Sequence, residues 1–244
     1  MSYRAAAPVS ICARIQGREV ARAQVLRWEN RRVTAAAKKL GVVVPDGDVF
    51  VRRAALLDAK LELGSAQIAE RLARDVRGAD LVGRTNARIT SRRRISVTEL
   101  YISAGSAAGF VAWFAHRKSD ERAMLAACPD HFVIRPRSDG QLEVLETTGG
   151  SPLATRFFID YVDTSTLVTA PDPSFPHQIA GVARASDGTA IGGVRHQFRD
   201  VEGGFHANLT VEFPFLTVSH MIAEHRWHLA CEFSNWIEAA LADL

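Results

Sequence analysis

The chain has only three cysteines in 244 residues, Cys12, Cys128 and Cys231, and no C-x-x-C pair. So sparse and odd a set of thiols excludes a disulfide framework. Charged residues occupy the first twenty positions, where a signal peptide needs an apolar run, so a reducing, cytoplasmic setting is expected. Long apolar runs are missing too. The one candidate, residues 100–115 (LYISAGSAAGFVAWFA), falls short of the about 20 residues that a membrane span needs. Its flanks are basic on both sides (Arg92, Arg93, Arg94; Arg117, Lys118) and give no inside-outside bias. It reads as a buried segment, and no membrane partner is expected. Apolar residues at 47% and charged residues at 23% are ordinary globular values, which disfavours disordered, collagenous and coiled-coil classes.

What is present is divided unevenly. Residues 1–118 carry 22 Lys and Arg against 10 Asp and Glu, and residues 119–244 carry 8 against 17, so a net charge of +3 hides halves of +12 and −9. Histidine follows the same line. Only His116 lies in the first half, while His131, His177, His196, His206, His220, His225 and His228 lie in the second. Two units are expected: a basic, mainly helical region over residues 1–118, and a domain over residues 119–244 that holds the titratable chemistry.

Residues 11–40 lack Pro and are rich in Ala, Arg, Val and Leu, which predicts helix, and the Gly/Pro-punctuated residues 41–48 (GVVVPDGD) predict a break. A second helix is predicted over residues 49–63. A third follows Gly64 and Ser65, with Ala66, Ile68, Ala69, Leu72 and Ala73 at helical spacing. Residues 84–94 (RTNARITSRRR) read as a connector or an irregular strand. After Pro129 the period falls to about two, predicting strands over residues 131–135, 142–147, 155–162, 178–185, 191–199 and 205–213. The turns Ser138-Asp139-Gly140, Asp187-Gly188 and Gly203-Gly204 join several of them directly, as in an antiparallel meander. Residues 218–241 hold neither Gly nor Pro and predict one long helix. The predicted class is α+β: a curved antiparallel sheet closed by a C-terminal helix.

On that helix Met221, His225, His228, Leu229, Glu232, Phe233 and Trp236 fall on one stripe, apolar but for three members. Two imidazoles and a carboxylate on an apolar face need a partner, and a metal is one. The i, i+4 spacing of His228 and Glu232 lets both reach one cation, although an isolated H-x-x-x-E is also satisfied as a hydrogen-bonded pair. Glu146 alternates with Leu142 and Val144, and His131 is expected to share a face with Val133, so adjacent strands could present this second pair to the helix. His131, Glu146, His228 and Glu232 are thus the predicted metal ligands. Zinc suits two nitrogens and two oxygens, with Mn and Fe open on ligand type alone.

The run Pro129-Asp-His-Phe-Val-Ile, the run Glu143-Val-Leu-Glu-Thr-Thr-Gly-Gly-Ser-Pro and the run His225-Arg-Trp-His-Leu-Ala-Cys-Glu-Phe-Ser-Asn-Trp resemble the diacetylphloroglucinol and phloretin hydrolases. The resemblance spans roughly residues 119–244. It implies a Bet v 1-like helix-grip domain holding zinc by two His and two Glu, which cleaves the carbon–carbon bond between an acyl group and a phenolic ring. A zinc-activated water would attack the acyl carbon of an aromatic ketone, and a general acid would protonate the departing ring carbon. His196, on a strand face with Val194 and Phe198, is the candidate acid; His206, His177, His225 and Glu224 compete with it. Two other readings stay open. An aromatic polyketide cyclase or ligand-binding protein of the same fold needs no zinc. A ligand-responsive regulator would use Ser65-Ala-Gln-Ile-Ala-Glu-Arg-Leu-Ala as the first helix of a helix-turn-helix, but no recognition helix follows it, so no nucleic-acid partner is expected. A homodimer is compatible with the sequence.

Overall fold

The computed structural model describes residues 9–243. A hairpin, β1 (Ile11–Ile15) and β2 (Arg18–Ala21), leads into three helices, α1 (Arg22–Leu40), α2 (Val49–Arg71) and α3 (Ala73–Ile89). Then come β3 (Arg93–Ile102), α4 (Ala107–Arg117) and α5 (Glu121–Ala126). The second half is β4 (His131–Pro136), β5 (Leu142–Glu146), a single 3-10 turn (Thr148–Gly150), β6 (Thr155–Asp160), β7 (His177–Arg184), β8 (Ala190–Val201), β9 (Gly204–Pro214) and the long α6 (Ser219–Ala242). All nine strands join one sheet in the order β2-β1-β3-β9-β8-β7-β6-β5-β4. Every neighbouring pair in it is antiparallel.

The six strands and the long helix predicted after Pro129 are present. The sheet, however, does not begin at residue 119: β1, β2 and β3 come from the first half, and β3 pairs with β9 from Arg93–Pro214 to Ile102–Phe205. The helix predicted from residue 11 is corrected likewise. Ile11, Ala13 and Ile15 are buried on alternate positions, a period of two masked by the Ala/Arg-rich run that follows. Gln16 and Gly17 turn the hairpin with φ of 52° and 76°, the doubly positive geometry that tight hairpins favour. Residues 84–94 divide between the end of α3 and the start of β3. Residues 100–115 are the end of β3, a turn and α4, whose Ala107, Phe110 and Phe114 are buried.

Local signals set the helix ends. Asp48 caps α2 by accepting from the Phe50 and Val51 amides, Ser106 and Asp120 cap α4 and α5, and Gly41 ends α1 in the left-handed conformation. Gly64 (φ 71°, ψ 158°) kinks α2 where the sequence predicts a break. The segment beyond it runs through Leu72 into α3, which lies over the sheet.

Two apolar cores result. One lies between the sheet and α6 and includes Leu100, Phe110, Phe198, Phe205, Leu229, Phe233 and Ile237. The other packs Phe132, Val133 and Leu145, on the far side of β4 and β5, against Val33, Leu40, Leu56 and Ile68 of α1 and α2. Each fully buried large side chain contributes roughly 1.5–3 kcal/mol. Between sheet, α6 and α3 the first core is left unfilled, forming a cavity of about 650 Å³.

The 3-10 turn sits tightly on α6. Gly149 has φ 55°, and a Cβ there would lie 2.2 Å from the Met221 carbonyl oxygen. Gly149→Ala is therefore expected to destabilise the fold by about 2 kcal/mol or more, since left-handed strain and a backbone clash coincide. In thermal unfolding that is a fall of about 4–8 °C for a chain of this size; an unchanged midpoint would show that the turn yields freely.

Candidate metal centre and cavity

The four predicted ligands converge at one end of the cavity. His131 Nε2 lies 3.1 Å from His228 Nε2, 3.0 Å from Glu232 Oε2 and 3.6 Å from Glu146 Oε2. His228 Nε2 lies 3.5 Å from Glu232 Oε2 and 3.8 Å from Glu146 Oε2. Donors at about 2.0–2.2 Å from a tetrahedral centre stand about 3.3–3.6 Å apart, and the observed spacings of 3.0–3.8 Å bracket that range, so these groups could hold a metal ion. All four residues are buried, and all four line the cavity.

Backbone register explains the convergence. His131 and Glu146 are direct cross-strand partners, so their side chains leave the sheet side by side. The expected face-sharing of His131 with Val133 is corrected: a bulge between them shifts the phase, and Val133 joins the second core while His131 and Ile134 face the cavity. The extra residue re-aims the imidazole. On α6, His225, His228, Glu232, Phe233 and Trp236 all line the cavity, as the helical stripe predicts, and Leu229 is in the core.

The remaining imidazole atoms are fixed from behind. His131 Nδ1 donates to the Met124 carbonyl at 3.3 Å, which leaves Nε2 as the free lone pair. His228 Nδ1 faces Asp130 Oδ2 at 3.8 Å and Cys128 Sγ at 3.8 Å. Asp130 is fully buried and held by Arg32, whose Nε and Nη2 donate at 2.9 and 2.7 Å, and by the Thr147 hydroxyl at 2.7 Å. Burial alone would raise the Asp130 pKa, but His228 and Arg32 hold it well below the usual carboxylate range. Trp28 of α1 packs edge-on against His228 and donates to Glu224 at 2.9 Å. Neither Asp130 nor the α1 residues were predicted; the only trace in the sequence is that Asp130 directly precedes His131.

The cluster favours a cation. Burial disfavours a charged His228, whereas the charges of Glu146 and Glu232 and the nearby Asp130 carboxylate favour it. Burial would likewise raise the Glu232 pKa, but His228 and His131 draw it far down, whereas Glu146 is pushed up by burial and by the Glu232 charge. Two further combinations, Cys128 with His131 and His228, and Glu146 with His225 and His228, bring three donor atoms within 4.8 Å of one another. These buried Cys, His and Glu groups could hold a metal ion. We favour the set with two Nε2 atoms, because Cys128 approaches His228 on its Nδ1 side and burial keeps its thiol protonated.

Of the candidate acids, His196 lines the cavity and packs edge-on against Phe233 at 4.7 Å. Its Nδ1 is buried without a hydrogen-bond partner, and burial lowers its pKa to about 4. His225 also lines the cavity, stacked on His228 at 5.1 Å with Nδ1 facing the Ser96 hydroxyl. The others stand elsewhere. His206 lies on the outer face of the sheet, stacked on Tyr101 and 3.2 Å from Glu99; His177 does not line the cavity; Glu224 accepts from Trp28. A residue that sequence reasoning passed over is Tyr161, a cavity-lining tyrosine whose pKa is raised by burial and by the charges of Glu232 and Glu146.

Comparison with models of known protein families finds no match, and comparison with curated proteins finds none. Fold and site by themselves define an α+β protein with a large apolar cavity and a buried, open-sided His/Glu cluster able to hold a metal ion.

Asp130→Asn is expected to weaken metal affinity by about 10–100-fold, the usual effect of losing a carboxylate behind a ligating His. A competitive chelator titration reads this, and unchanged affinity would make Asp130 purely structural. A second expectation concerns pH. Because the native His196 pKa is depressed to about 4, the unfolded chain binds a proton that the native state does not. Stability is then lost as pH falls from about 6.5, the unfolded value, to about 4, with no further change from this group below that. His196→Phe is expected to flatten denaturant-derived stability over that window; an equally steep fall in the variant would assign the effect to other groups.

Proposed function

We propose that the protein is a zinc-dependent hydrolase that cleaves the carbon–carbon bond between an acyl group and a polyhydroxylated aromatic ring, and that its sheet, closed over α6, is a helix-grip of the Bet v 1 kind. One observation carries the reading: two imidazoles whose Nε2 atoms stand 3.1 Å apart and 3.0–3.8 Å from two carboxylates, in the wall of an apolar cavity of about 650 Å³. Four protein ligands alone fill a tetrahedral shell, so the catalytic reading requires a further position for water or substrate, and the cavity that this cluster faces has room for it. The sequence resemblance of residues 129–152 and 225–236 to acylphloroglucinol-type hydrolases supplies the substrate class.

Zinc held by His131, Glu146, His228 and Glu232 would polarise a ketone and make water nucleophilic near neutral pH. The chain's own groups do the rest. Ile134, Val144, Phe157, Ile159 and Trp236 offer the aromatic ketone an apolar wall that excludes bulk water. Tyr161 keeps its proton and can donate it as a hydrogen bond to a substrate oxygen. Water oxygen bonds to the acyl carbon, the bond to the ring breaks, and its electron pair goes to the ring carbon, which takes up a proton. With its pKa near 4, His196 is neutral at pH 7, so it acts first as a base. Its ring nitrogen takes a proton from the attacking water and returns it to the ring carbon, which makes the imidazolium a transient species. Hydroxyls ortho and para to the acyl carbon are needed for that carbon to be protonated.

The test is hydrolysis of an acylated di- or trihydroxybenzene by the metal-loaded protein. Solvent oxygen is expected in the carboxylic acid and solvent hydrogen on the ring, and Glu232→Gln is expected to lose most of the metal. His196→Ala is expected to slow turnover about 100-fold or more with zinc retained, in line with general acid–base contributions. If no metal binds after reconstitution, or if substrate is bound or cyclised with label in neither product, the hydrolase reading is wrong and a cyclase or binding role replaces it.

A further inference from the structure

The cavity opens beneath α3, and the side of α3 that faces solvent has an unusual composition. Its exposed positions are Arg74, Arg77, Leu81, Val82, Thr85, Arg88 and Ile89. At about 100° per residue they cover one continuous arc of the helix. The arc holds three arginines and three large aliphatic side chains and no acid. The helix's two acids lie off it, Asp75 bound to Lys39 and Asp80 to Arg84 and Ser186. Across the mouth, Leu216 and Val218 are also exposed, with Arg92 beside them over the Phe215 ring at 4.1 Å. Leu81, Val82, Ile89, Leu216 and Val218 are 57–66% exposed, and each also lines the cavity. The apolar interior thus continues outward into a solvent-facing apolar rim set among arginines.

Large aliphatic side chains gathered in one exposed patch mark an interaction surface. An exposed aliphatic patch flanked by arginines matches a lipid interface, where apolar groups can enter the acyl boundary while neighbouring cations meet headgroup phosphates. A second copy of the chain is a poorer occupant, since a two-fold contact through this face would bring its arginines against their own kind. Arg74 and Arg77 have no ion-pair partner among the described residues, so their charge is available to an anionic surface. No described helix is long and apolar enough to cross a membrane, so the contact is peripheral.

We propose that the α3 face and the Leu216–Val218 rim dock on an anionic lipid bilayer, placing the cavity mouth in the interface so that a lipophilic ligand enters from the membrane rather than from water. The sequence alone gives no membrane partner; the surface appears only when α3 is seen to lie over the cavity. The proposal is independent of the hydrolase reading, because docking needs neither metal nor turnover.

Co-sedimentation with vesicles tests it, using equimolar phosphatidylglycerol and phosphatidylcholine against phosphatidylcholine alone in 0.1 M salt. Binding is expected to the anionic vesicles only and to weaken as salt rises. Leu81→Asp with Ile89→Asp, and separately Arg74→Glu with Arg77→Glu, are each expected to reduce vesicle affinity at least tenfold. At such exposed positions the thermal midpoint is expected to hold, which keeps a loss of binding distinct from unfolding. No sedimentation with anionic vesicles, or variants that bind like the parent, overturns the proposal. So does a dimer in sedimentation velocity that Leu81→Asp with Ile89→Asp dissociates, or tight binding of duplex DNA that displaces the vesicles and is lost in the arginine variant, since either gives the face to another partner.

Discussion

Glu146 and Glu232 both face His131 and His228 in the wall of an apolar cavity, and much of the architecture around them serves to make that arrangement stable. Two carboxylates out of water are unfavourable unless cationic or donor groups meet them. Here the two imidazoles do so directly, at 3.0–3.8 Å, and they are held in turn by Met124, Asp130 and Arg32. The bulge at His131 and the glycine at position 149 are local irregularities with the same purpose. One turns an imidazole inward, and the other lets the turn after Glu146 approach α6 closely enough for strand and helix donors to share a shell. Removing any one of the four leaves a buried polar partner unmatched, so the four act as a unit.

The strands of the second half were legible as short apolar-rich runs bounded by turns, although burial does not alternate along them, β5 for example being buried throughout, and α6 because 24 residues without Gly or Pro carry one coherent stripe. The buried polar cluster was legible for a related reason: Glu146, His228 and Glu232 are polar residues placed where periodicity demands apolar ones. His131 was found by a faulty argument, since alternation pairs it with Val133 and only the bulge carries it inward. The strands of the first half were hidden by composition. Ile11–Ala21 alternates, but Ala and Arg suit helix equally well, and β3 follows a run of arginines that reads as a connector. Asp130, Arg32 and Trp28 were out of reach for a different reason: their role depends on α1 packing behind β4, a contact between residues about 100 positions apart that local pattern does not encode.

The unequal charges of the halves also become intelligible once both are seen to build one sheet. Arg22 pairs with Glu238, Arg32 with Asp130, Arg84 and Arg88 with Asp187, and Arg117 with Asp243, so first-half cations repeatedly meet second-half anions. Most of these pairs are partly exposed and individually weak, about 0–1 kcal/mol each. Arg32–Asp130 differs, because the carboxylate is fully buried and breaking such a pair strands a charge in the interior. Charge asymmetry therefore reflects the way the halves interlock, and it leaves over the cations of α3 that have no second-half partner.

Lys60 shows how strongly the corner before His131 is constrained. It is 2% exposed, and its ammonium meets no carboxylate directly; it donates to the carbonyl oxygens of Pro129 at 2.9 Å and Cys128 at 3.4 Å. Burial draws its pKa down to about 8. Between about 10.5 and 8 the unfolded chain is protonated and the native one is not, so this lysine opposes folding at neutral pH rather than favouring it. An apolar residue of the same length would fill the space without that penalty, but it would leave the Pro129 carbonyl without its donor, while the Cys128 carbonyl keeps the His131 amide, and the 128–130 turn would be freer to shift. Asp130 and His131 both issue from that turn, one behind His228 and one beside it. A displacement of a few tenths of an ångström there would spread donors that now stand at coordination distance, which is a physical reason for a buried cation at a place where packing alone would select against it.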